Sequence, residues 1–176
     1  MPTTLEAIDA LCARIGFDKP RAKAVARALT DAGRLPAGGP GKSPELDAEH
    51  VVDIVIGCSV DAPLRAIADS VAAYRAMTPG GANLDGAPAS IDTAGRALDI
   101  WADIAIHGDA ALLRREQIEM ISNWPEIAIH STGSASRFRE IGALASHWAE
   151  TGHRKSTTIN GAALVDALRE LFTEIK

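Results

Sequence analysis

The side chains with the type and spacing to do chemistry are cations near the amino end. Residues 14–42 carry Arg14, Lys19, Arg21, Lys23, Arg27, Arg34 and Lys42 against only Asp18 and Asp31, a net of +5. Residues 1–13 stand at −2 and residues 43–176 at −8, which brings the whole chain to −5. Phosphate binding depends on where cations lie more than on their total. A basic segment joined to an acidic remainder therefore fits a small DNA-reading module on an interaction domain. A solvated basic helix face that touches nothing would produce the same count.

Other patterns suggest chemistry but fail on context. The loop PAGGPGKS holds Gly41, Lys42 and Ser43 of a phosphate-binding GxxxxGK[ST] loop, yet Pro36 stands at its first glycine position. A helix pattern precedes it where a strand is needed, and Pro44 follows at once, so nucleotide hydrolysis is not expected. Its glycines and Lys42 still allow close approach to a DNA backbone. His50, His107, His130, His147 and His153 form no HExxH pair and no zinc spacing with cysteine. His147 and His153, near Trp148, Arg154 and Lys155, read as surface or interface positions. Cys12 and Cys58 sit in apolar helical patterns, which favour reduced core thiols over thiolates. No GxSxG elbow is present. The chain reads as a non-enzyme, with no catalytic residue, metal ligand or cofactor expected.

The elements that must position the cations follow from caps and periodicity. Thr3 or Thr4 caps a first helix with Leu5, Ile8, Leu11, Cys12 and Ile15 on one face, closed by Gly16. Asp18 caps a second helix, with Pro20 tolerated in its first turn. Ala22, Val25, Ala26 and Leu29 face inward, Lys19, Arg21, Lys23 and Arg27 face outward, and Gly33 is the stop. Two helices joined by a short turn make a helix-turn-helix, whose second helix can enter a major groove while the remaining cations meet phosphates. Arg34 and Lys42 then flank the duplex from the loop.

Asp47 caps a third helix burying Val51, Val52, Ile54 and Val55, weakened at its end by Gly57 and Ser59. Asp61 and Pro63 open a fourth, with Leu64, Ile67, Val71 and Tyr74 or Arg75 at helical spacing. Ser90 or Asp92 starts a fifth, with Ala94, Leu98, Trp101, Ile104 and Ala105 on one side. Helices four and five form an antiparallel hairpin whose alanines suit packing between copies or within one chain. Beyond Gly108 the runs IEMI and EIAIH read as strands, the second with Ile127 and Ile129 on a single buried face. A third strand is expected over Phe138–Leu144. A last helix from about Asn160 carries Leu164, Val165, Leu168, Leu171, Phe172 and Ile175 on its apolar stripe. Trp101, Trp124 and Trp148 fall in apolar patterns that suit a core.

The fold class expected is α+β, mainly α. Its segments are a helix-turn-helix domain over 1–60, a hairpin and oligomerisation region over 61–108, and an antiparallel β section with a carboxy-terminal helix over 109–176. Composition agrees: 176 residues, 47% hydrophobic, 23% charged, with aromatics at 4% and much alanine. These values exclude collagenous, mucin-like and wholly disordered chains. The longest apolar runs, such as VVDIVIGCSV, are short and broken by Asp53, so none spans a bilayer. The start MPTTLEAIDA lacks a basic region before an apolar stretch, which argues for a cytoplasmic protein.

This order of parts resembles that of phage small terminase subunits. The segment ALTDAGRLPAGGPGKSPELDAEHVVDIVIG is also similar to a stretch in uncharacterised proteins of bacterial prophages. The resemblance implies viral genome packaging in the bacterial host cytoplasm, with double-stranded DNA as ligand and a homo-oligomeric ring. A large packaging ATPase subunit is the implied partner. By position, Lys19, Arg21, Lys23 and Arg27 take the DNA-contacting role and residues 61–107 the assembly role. The alternative is a helix-turn-helix transcriptional regulator with a dimerising second domain, and a third reading is a protein-interaction factor without DNA affinity.

Overall fold

Local capping places the amino-terminal helices. A computed structural model describes residues 1–39, 44–88, 93–143 and 152–173. Helix α1 (Thr4–Ile15) begins in a capping box between Thr3 and Glu6 and closes on Gly16 at φ 89°, a left-handed conformation that suits glycine. Helix α2 (Lys19–Asp31) is capped by the Asp18 carboxylate, which accepts from the Arg21 N–H. Helix α3 (Ala48–Ser59) begins at Asp47, and His50 completes its capping box.

Helix α3 is buried nearly all round and packs on α2. A Cβ at Gly57 would lie 2.7 Å from Val25 Cγ1, so this glycine lets the two helices approach, and α3 continues to Ser59. The expected fourth helix is split: a 3-10 turn, Leu64–Ala66, precedes α4 (Ile67–Ala76). A short strand β1 (Thr78–Pro79) follows, then α5 (Ala94–His107), capped by Thr93. The expected caps Ser90 and Asp92 lie outside the described residues. The end of α4 meets the start of α5, where the Ala94 N–H donates to the Met77 carbonyl at 2.8 Å.

A second 3-10 turn, Leu113–Arg115, leads to β2 (Gln117–Ile121), β3 (Glu126–Ser131), β4 (Ser134–Arg139), β5 (Ser156–Asn160) and α6 (Gly161–Phe172). The sheet is antiparallel in the order β1-β4-β3-β2-β5. Ile118, Met120, Ile127, Phe138 and Ile159 share the face that joins the helical core. That one core cluster holds Leu11 and Leu29 from 1–60, Val71 and Trp101 from 61–108, and Ile118 and Leu168 from 109–176. Ala94, Ala102 and Ala105 of α5 are buried inside the same chain. The class is α+β with helix predominating, and no helix among the described residues is long and apolar enough to cross a membrane.

Several expectations need correction. Strand β4 begins at Ser134 because Gly133, at φ 80°, turns the chain there; Leu144 lies outside the described residues, as do His147, Trp148 and Ile175. Strand β3 is buried on both faces at its start, since Glu126 and Ala128 are as fully buried as Ile127. Leu5 and Ile104, assigned to buried faces, are 55% and 39% exposed. Leu5 sits in the first turn of α1 over an open groove beside Leu171. Ile104 lies off the line of Leu98, Trp101 and Ala105 that α5 turns to the core.

Candidate nucleic-acid interface

Helix α2 buries Ala22, Val25, Ala26 and Leu29, so its other positions turn outward. Lys19, Lys23 and Arg27 recur at every fourth residue and are all exposed, which places them on one stripe along the helix. Both ends of the stripe have carboxylates in reach. Lys19 Nζ lies 2.7 Å from Asp9 Oδ1, and Arg27 Nε lies 3.9 Å from Asp31 Oδ2. The hydrogen bond and charge of Asp9 hold the Lys19 ammonium above the usual lysine value. Exposed pairs of this kind are screened by solvent and contribute little, so a phosphate can replace them. Lys23, between them, has no ion pair among the described residues.

The other predicted cations are turned to internal partners. Arg21 stands about 160° around the helix from Lys19 and Lys23. Its Nη2 donates to the Ala62 carbonyl at 2.6 Å, tying α2 to the turn that precedes α4. Arg34 follows the left-handed Gly33 and donates through Nε and Nη2 to Asp53 Oδ2, at 2.9 Å each. Asp53 is 5% exposed, and its other oxygen accepts from Arg75 Nε. Arg75 then forks onto Asp99 at 2.9 and 3.0 Å. Burial opposes the Arg75 charge, but Asp99 and Asp53 outweigh it and hold the guanidinium above its ordinary value. Gly95 leaves space for the Arg75 stem, because a Cβ there would come within 2.9 Å of it. Lys42 lies outside the described residues. Of the predicted set, the structure brings together Lys19, Lys23 and Arg27, and sets Arg21 and Arg34 apart.

A second cationic group escaped the sequence reading. On the sheet, Arg137 Nη1 and Arg139 Nε each donate to the Glu126 carboxylate at 2.5 Å, and Arg154 Nη2 donates to it at 3.1 Å. The signal was period two: Arg137 and Arg139 pair in register with Ala128 and Glu126 and so share their face. Nearby, His130 Nε2 lies 3.1 Å from Glu119 Oε2. Burial works against the Glu119 charge, yet hydrogen bonds from Ser156 and His130 hold its carboxyl below the usual range.

The remaining polar residues have structural partners. Trp101 is a core residue whose Nε1 donates to Glu116 Oε2 at 2.8 Å. Burial pushes the Cys58 thiol up to about 12 and raises that of Cys12. No cluster of His, Cys, Asp and Glu suited to a metal occurs among the described residues. The arrangement therefore offers a solvated cationic ridge on α2 and closed ion networks around Asp53 and Glu126. No protein-family model, curated protein or solved structure matches the chain.

Proposed function

We propose that the chain binds double-stranded DNA through α2, using Lys19, Lys23 and Arg27, and serves as a small terminase-like subunit in viral genome packaging. The single observation that carries the DNA reading is the exposed stripe of three cations on a helix whose opposite face is locked into the core. Such a ridge meets phosphates without unfolding anything, and its surface carboxylates are weak competitors. Arg21 and Arg34 act in this reading as braces that hold the ridge, one through Ala62 and the other through Asp53. The packaging role comes from the order of parts, with a large ATPase subunit as partner.

The experiment is a titration of labelled duplex at several salt concentrations. Wild-type affinity is expected to fall steeply with salt, and the K19A/K23A/R27A variant to lose affinity together with about three units of the salt slope. Unchanged binding in that variant defeats the proposal. A second reading, a two-fold regulator, is favoured by the exposed face of α5. Solution mass separates the two, since a ring of many subunits suits packaging and a dimer suits regulation.

A further inference from the structure

Helix α5 leaves an apolar stripe uncovered. Ile100 is 40% exposed and Ile104 39%, one turn apart, while Leu98, Trp101 and Ala105 face the core. Arg96 lies one turn before Ile100, and Asp103 lies one turn beyond it. Seven residues separate these two charges, about 10.5 Å along the axis and within about 20° of one line. Neither side chain has an ion pair among the described residues. Beside the stripe runs a groove of about 370 Å³ whose walls include Glu49, Arg96, Ile100 and Asp103.

We propose that this face pairs with the same face of a second copy, α5 running antiparallel to α5 about a two-fold axis beside Ile100. The charge order selects the direction. In a parallel pairing Arg96 would meet Arg96 and Asp103 would meet Asp103, whereas the antiparallel pairing sets each Arg96 against Asp103 of the partner subunit. Ile100 then packs across the axis on its own copy, and the aliphatic stem of Arg96 covers Ile104 of the partner subunit. Glu49, with no ion pair of its own among the described residues, lines the groove that receives the incoming guanidinium. The α2 ridge of another copy would match these carboxylates but offers the isoleucines nothing apolar. The contact is isologous and closes at two subunits. It stands on α5 alone and does not depend on DNA binding; because it closes at two subunits, it supports the regulator reading of the DNA-binding chain over the packaging ring.

Sedimentation of the full chain over a wide concentration range tests the pairing. Wild type is expected to shift from one chain to two and stop there. Ile100→Asp, at an exposed position, is expected to stay monomeric with an unchanged circular dichroism spectrum. Arg96→Asp and Asp103→Arg each turn two attractive contacts into two repulsive ones, and each should weaken the dimer about tenfold at low salt. The double variant R96D/D103R should restore it. A wild type that stays monomeric, an assembly larger than a dimer, a dimer that survives Ile100→Asp, or a double variant no better than the single ones would overturn the proposal.

Discussion

Two regions of this chain each gather three cations, and they use them in opposite ways. On α2, Lys19, Lys23 and Arg27 stand in solvent beside Asp9 and Asp31, whose side chains are 48% and 72% exposed. On the sheet, Arg137, Arg139 and Arg154 converge on Glu126, whose side chain is 1% exposed. Burial of the carboxylate makes the difference. A solvated partner leaves a cation free to exchange for a phosphate, while a buried carboxylate has no alternative to its guanidinium groups and must keep them. Arg34 belongs with the second kind although its sequence neighbours belong with the first.

The sharpest way to break this contrast is Glu126→Gln. Loss of the buried charge removes the carboxylate on which Arg137, Arg139 and Arg154 converge, and chemical denaturation should register a loss of about 3–5 kcal/mol. Asp53→Asn should follow at about 2–4 kcal/mol, since Asp53 joins Arg34 to Arg75 with almost no exposure. Its effect on DNA affinity should be secondary to that loss of stability. The α2 ridge should behave in reverse: K19A/K23A/R27A is expected to change stability little while cutting DNA affinity. If that variant proved as destabilising as Glu126→Gln, the distinction between the regions would fail.

The smallest effect concerns acid. Lys155 bonds to Asp61 and, through that hydrogen bond and its charge, holds the Asp61 carboxyl below its ordinary value. A depressed carboxyl contributes stability above its unfolded value and loses it as pH falls through the folded one. Lys155→Ala should therefore lower stability slightly at neutral pH and flatten the acid limb of a stability–pH curve, with no effect once the carboxyl is protonated; the change is small because both side chains are exposed.

Much of the fold was legible because it is local. Thr3, Asp18, Asp47 and Asn160 announced helix starts, and each has its side chain on the backbone N–H of the first turn. The β2 and β3 runs were legible from apolar residues at period two. Strand β5, STTIN, was not, since its only large apolar residue is Ile159 and its pairing with β2 lies well upstream. Strand β1, two residues long, has no period to read. Ile104 was misplaced because a helical pattern marks a broad apolar arc, and which edge of the arc stays wet depends on the neighbours α5 meets.

By itself the sequence determined the helix starts, the mainly helical class and the spacing of cations along α2, because capping and periodicity act within a turn or two of chain. Only the tertiary structure decided which of those cations face water. Arg21 finds its acceptor 41 residues away in Ala62, and Arg34 its carboxylate 19 residues away in Asp53. Electrostatic pairing is set by distance through space and by burial, and neither quantity is written in the order of the residues.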